Sequence, residues 1–114
     1  MPVVTNVTRG TVLATTAATA RNPWTRFWGL LGRPALPPGE GLIFPGEKGV
    51  HTHFMRFPID IIFYDEDLVV LEAIERLRPW RFSPYRRHAR GLIELPAGTV
   101  GATGTRAGDR LALS

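Results

Sequence analysis

The 114-residue chain contains no cysteine. That absence excludes disulfides, thiolate nucleophiles, cysteine-ligated zinc and iron–sulfur clusters. No apolar run approaches the roughly 18 residues a membrane-spanning helix needs. Residues 1–6 carry neither a basic stretch nor a long apolar one, so no secretory leader is visible. A cytoplasmic location with no membrane partner is the expectation. Lysine occurs once, as Lys48, and Ser83 and Ser114 are the only serines. Neither serine sits in a G-x-S-x-G setting. There is no phosphate-binding G-x-x-x-x-G-K-[ST] and no G-x-G-x-x-G after a strand. Paired carboxylates at hydrolase-like positions are also missing, since Asp65, Glu66 and Asp67 read as a solvated turn. An enzyme is therefore the less favoured class, and no cofactor is implied.

Glycine (12) and proline (10) are abundant, at about a fifth of the chain. With 44% hydrophobic and 21% charged residues, this is the composition of one globular domain over residues 1–114, rich in turns and short strands. Val3 to Thr8 and Thr11 to Thr16 are β-branched runs around Arg9-Gly10 and predict a hairpin. Asn22-Pro23 resembles a helix start, and Trp24, Phe27, Trp28 and Leu31 share one helical face, so a short helix is expected near residues 23–31. Further strands are expected at 41–44, 59–64, 68 towards 78 with a bulge or bend, 91–95 and 110–114, and Val50 to Phe54 reads as extended. Pro96 to Thr99 and Ala107 to Asp109 read as turns. Seven or eight short strands around one helix predict a mainly β fold, a compact antiparallel barrel or sandwich of jelly-roll type.

Several segments recur together in a known family. They are Arg26-Phe27-Trp28-Gly29-Leu30-Leu31-Gly32-Arg33, His51-Thr52-His53-Phe54-Met55-Arg56-Phe57-Pro58-Ile59-Asp60, Arg78-Pro79-Trp80-Arg81 and Glu94-Leu95-Pro96-Ala97-Gly98. In these the chain resembles the DUF192 family from about residue 8 to the end. The resemblance implies a mainly β, sandwich-like domain and no agreed reaction. Where members often carry Asp-x-Asp-Gly after the central strand, this chain has Asp65-Glu66-Asp67-Leu68, so a turn needing positive φ would fall on a side chain that resists it.

Two groups of residues bear on function. Asp60 interrupts the apolar run Phe57 to Phe63, and a carboxylate there must be paired or bonded to amides. Arg56 and Arg81 are partners by type. Glu94, between Ile93 and Leu95, poses the same question. A pocket lined by His51, Met55, Arg56, Asp60, Trp80 and Arg81 is the first expectation. It would make the protein a non-enzymatic binding module for a small polar or anionic ligand. The second group is a basic, aromatic segment. Of the 14 basic residues, six (Arg76, Arg78, Arg81, Arg86, Arg87 and Arg90) fall within 76–90, where no acid occurs, and the rest of the chain is net acidic. Interleaved with Phe82 and Tyr85, residues Arg78, Arg86, Arg87 and Arg90 offer single-stranded nucleic acid an alternative site. The bland reading is a solvated loop. A third alternative takes His51, His53 and Met55 as metal ligands on one strand face. Such a trio must bend sharply to meet on one ion, and no tightly held metal is expected. As plain structure, His51 would bond a backbone carbonyl, His53 would face solvent and Met55 would enter the core.

Overall fold

The structure, a computed structural model, describes residues 2–20 and 35–114. The helix expected near residues 23–31 lies outside the described residues. Eight strands occur among those described: β1 (Val4–Asn6), β2 (Thr11–Ala14), β3 (Thr16–Thr19), β4 (Glu40–Pro45), β5 (Ile59–Tyr64), β6 (Val70–Leu77), β7 (Gly91–Pro96) and β8 (Leu111–Leu113), with one short helix, α1 (Thr99–Thr103), between the last two. They form two sheets, ordered β2-β1-β8 and β3-β4-β7-β5-β6. The fold is mainly β, and its two sheets pack as a sandwich without closing into a barrel among the described residues.

β1 and β2 pair antiparallel as the expected hairpin. The run from Thr11 does not continue as one strand. It breaks at Thr15, whose amide and that of Thr16 both donate to the Gly39 carbonyl. The next residues leave for the large sheet, where β3 pairs with β4 in parallel, against the antiparallel expectation. At the other end Val69 bridges Arg110, and the amide of Leu111 donates to the Leu68 carbonyl, tying β6 to the start of β8.

Every residue of β5 is buried, because the large sheet has apolar cover on both faces. Ile62, Tyr64, Ile43, Ile93 and Leu95 face the small sheet and meet Val4, Leu13 and Leu111 there. Ile59, Ile61, Phe63, Leu42, Phe44 and Leu92 form a second cluster, with Leu36, Met55 and Ala89 contributed by loops. β6 pairs with β5, and register irregularities between Ile59 and Ile61 and between Phe63 and Tyr64 supply the bulge expected in the strand after Leu68.

The turn expected at Pro96 to Thr99 leads directly into α1, a helix that the sequence pattern does not predict. Its first amides, which no intrahelical carbonyl can satisfy, are held by a residue on another strand. The Asp60 Oδ2 accepts from the Gly98 and Val100 amides at 3.1 and 2.8 Å. A capping carboxylate 38 residues away leaves no local signal.

Candidate binding surface

Two loops carry the candidate surface. One links β4 to β5, the other β6 to β7, and they lie antiparallel over residues 48–52 and 81–86. Isolated β-bridge pairing joins His51 to Phe82. The Ser83 amide donates to the Val50 carbonyl at 2.8 Å, and the Val50 amide to Ser83 Oγ at 2.9 Å. At the far end the Arg86 amide donates to the Lys48 carbonyl at 2.8 Å.

Thr52 fastens the near end. It is fully buried, and all its polar atoms are spent on the facing loop or its own turn. Its amide donates to the Arg81 carbonyl, and its carbonyl accepts from the Trp80 and Met55 amides. Its hydroxyl donates to the Arg78 carbonyl and accepts from the Arg81 amide. The chain turns at once on either side of this anchor. Phe54 and Trp80 both adopt left-handed backbone, with φ of 67° and 64°. Non-glycine residues hold that conformation at a cost of roughly 1–2 kcal/mol each, and such strain collects at ligand-contacting sites.

The two turned-out rings touch. Phe54 and Trp80 have centroids 4.7 Å apart. His53 lies 5.4 Å from Trp80 and 4.9 Å from Phe82, and His51 lies 5.1 Å from His53. Five rings thus form one contiguous patch. Phe54, Trp80 and Phe82 are 66%, 54% and 75% exposed. Arg56, Arg78 and Arg81 are also exposed, and none of them has an ion-pair partner among the described residues.

The sequence-derived pocket does not assemble as a unit. His51, Trp80 and Arg81 come together in this region, but Met55 packs into the second core cluster. Asp60 is fully buried and committed elsewhere: besides the two amides of α1's first turn, its Oδ1 accepts from the Arg76 amide at 2.9 Å. It is a structural carboxylate bonded to amides, and neither Arg56 nor Arg81 pairs with it. The extended reading of residues 50–54 holds as far as Thr52 and fails beyond it. Only His51 is β-bridged, and the left-handed Phe54 ends the alternation that would have aligned His51, His53 and Met55. His51 Nδ1 accepts from the His53 amide at 3.3 Å, where a ring N–H donated to a backbone carbonyl was expected. No group of three His, Asp or Glu side chains able to hold a metal occurs among the described residues.

In the basic segment, Tyr85 is 70% exposed and Phe82 joins the ring patch. The arginines differ in state. Arg86 Nε pairs with Glu72, and Arg90 with Glu66 at 3.4 Å, whereas Arg87 is exposed and unpaired among the described residues. Sequence reasoning missed Phe54 and Thr52. Nothing local marks either, because their roles come from a loop 26 or more residues away.

The DUF192 model, described as an uncharacterized ACR, matches residues 4–113. The chain is similar to a UPF0127 protein of Pyrococcus furiosus, 38% identical over 112 residues that cover 93% of each chain. A UPF0127 protein of Thermococcus sibiricus is 32% identical over 110 residues, covering 93% of this chain and 71% of that one. Among solved structures, a protein of unknown function from Novosphingobium aromaticivorans shares the fold with a TM-score of 0.80 at 23% identity, over 97% of this chain and 82% of that one. A Sinorhizobium meliloti protein named a "putative transcription regulator" gives 0.83 at 26% identity, over 98% and 91%. With the family model matched from β1 to β8 and relatives alike over nearly the full length, the chain belongs to the DUF192 family.

Proposed function

We propose that the protein is a non-enzymatic binding module whose ligand is a ring-bearing anion stacked on the Phe54–Trp80–His53–Phe82 patch. The observation that carries this reading is the cluster itself: large aromatic rings more than half exposed, in mutual contact, on strained backbone that buried Thr52 holds in place. Exposed aromatic clusters cost solubility and mark interaction sites. Stacking supplies attraction for any planar ring, and Arg78 and Arg81 on the adjoining loop supply charge for an anionic group. The reading keeps His51, Trp80 and Arg81 from the sequence-derived group and replaces Met55 and Asp60, both buried, with His53, Phe54 and Phe82.

The test compares adenosine 5′-monophosphate with ribose 5-phosphate, which lacks the ring, by isothermal titration. The nucleotide is expected to bind and the sugar phosphate to bind far more weakly. Trp80→Ala should weaken nucleotide binding roughly 5- to 150-fold, the equivalent of the about 1–3 kcal/mol that one stacked base contributes. Equal binding of the two ligands, or no binding of the nucleotide, overturns the reading.

A further inference from the structure

We infer that the ligand of this surface is single-stranded nucleic acid, laid along a track that begins on the ring patch and ends in a basic cleft. This rests on the platform reading and extends it. The ribbon of residues 48–52 against 81–86 connects two features that are otherwise separate. At one end stand Trp80 and Phe82. At the other, Lys48 and Arg86 are joined backbone to backbone, and beyond them opens a cleft of about 420 Å³ lined by Lys48, Arg87, His88, Arg90, Asp65 and Glu66. Tyr85, 70% exposed, lies between the two ends.

One of the cleft's cations, Lys48, is held in position. Lys48 Nζ donates to the carbonyls of Arg87 and Ala89, both at 2.9 Å, which leaves one of its three N–H donors uncommitted. The cleft's two acids are each partly engaged. Asp65 Oδ1 is taken by the amides of Asp67 and Val69. Glu66 meets Arg90 at 3.4 Å in a pair with both side chains mostly exposed. Exposed pairs of that kind are worth little, and a phosphate can displace them.

Length and chemistry together choose the ligand. Phe82 and Arg86 are four residues apart, a reach of up to roughly 13 Å, and at that reach one nucleotide cannot both stack on the rings and place its phosphate in the cleft. A strand of several nucleotides spans it. Unpaired bases offer ring faces to Trp80, Phe82 and Tyr85, while the faces of duplex bases are already stacked. Repeated phosphates match the arginine excess of residues 76–90, which a single small anion leaves unused.

The experiment measures fluorescence anisotropy of a labelled 12-nucleotide oligothymidylate, the same strand annealed to its complement, and the adenosine 5′-monophosphate titration described above. The single strand is expected to bind more tightly than the mononucleotide and than the duplex, with affinity that falls as salt rises. Arg87→Ala should weaken oligonucleotide binding several-fold and flatten the log–log salt slope by about 0.7, the share of one single-strand phosphate contact, while leaving mononucleotide binding unchanged. Arg86→Ala should do less, because Glu72 already holds that guanidinium. An oligonucleotide bound no more tightly than the mononucleotide, a duplex bound as tightly as the single strand, or an Arg87→Ala variant without effect overturns the track and leaves the platform standing. Failure of both oligonucleotide and mononucleotide to bind removes both.

Discussion

Asp60 shows how a charge survives inside an apolar run. Its two oxygens accept three backbone N–H groups, from Arg76, Gly98 and Val100, so burial is compensated by hydrogen bonds to the charged form. The arrangement stitches the end of β6 and the first turn of α1 onto β5. Asp60→Asn keeps the size but replaces one acceptor oxygen with an NH2 that faces a donor. An unfolding free energy lower by about 2–3 kcal/mol is expected in urea titrations, the scale of losing hydrogen bonds to a charged partner. Nucleotide binding by the folded variant should be unchanged; a selective loss of binding would return Asp60 to the ligand site. Leu68 is a second residue at which context prevails. It takes the left-handed position of the β5–β6 turn with φ of 60°, where glycine would be at ease. Asp65 compensates by accepting the Asp67 and Val69 amides on Oδ1 and the Leu68 amide on its carbonyl, and the Leu68 side chain packs against the first core cluster.

Among the elements, β7 is the centre of the large sheet and its first residue shows how closely that sheet is packed. Tyr64 lies opposite Gly91 in the β5–β7 register. A Cβ at Gly91 would fall on the Tyr64 ring and hydroxyl and lie 2.9 Å from the Phe44 carbonyl oxygen. The glycine therefore leaves room for an aromatic ring laid over the strand, an arrangement that recovers apolar contact where a side chain is missing. Gly91→Ala should cost about 1–3 kcal/mol, as overpacked cores do, measured as a lower denaturation midpoint with unchanged denaturant slope. An unchanged midpoint would mean that the ring moves away freely. The same scale explains which strands the sequence made visible. β5, β7 and β8 announce themselves by apolar runs or alternation between turn residues. The ribbon at 48–52 has neither, since its pairing depends on residues 81–86.

For the molecule as a whole, two carboxyl groups set the dependence of stability on pH. Glu94 sits mid-strand in β7, opposite Leu42 on one side and Ile61 on the other, both members of the second core cluster. Its side chain, carboxyl group included, is buried at 5% exposure. Burial pushes that group up from 4.5 to about 8. The folded protein then keeps a proton that the unfolded chain has released, so stability is full below about 4.5 and declines as pH rises towards 8, by at most roughly 1.4 kcal/mol per pH unit. Asp109 acts in the opposite sense. Burial would raise it, but hydrogen bonds from Asn6, Arg9 and the Arg106 amide outweigh that and hold it down at about 2. Its contribution is present above the ordinary value of 3.8 and is lost as pH falls towards 2. Thermal midpoints across pH 2–9 should therefore peak near pH 4–5. Glu94→Gln should flatten the alkaline arm, and an arm that persists in that variant would show that Glu94 is not its source.

The mainly β class, most strand positions, a bulge in the strand that follows Leu68, the exclusion of thiol chemistry and the family were legible in the sequence alone. These depend on near neighbours: alternation, β-branching, turn residues and motif order are all read within a few positions. The tertiary structure alone decided that the run from Thr11 would divide between two sheets at Thr15, that β3 would pair in parallel, and that Asp60 would cap α1. It also decided that Phe54 and Trp80 would turn outward onto the same surface as His53 and Phe82. Each of these is fixed by hydrogen bonds between residues more than 20 apart, as when Thr52 binds Arg78, Trp80 and Arg81. Side chains of phenylalanine and tryptophan carry no local preference for left-handed backbone. Only the loop packed against them can hold them there, so the patch that this structure offers to a ligand is a property of two segments in contact and of neither one alone.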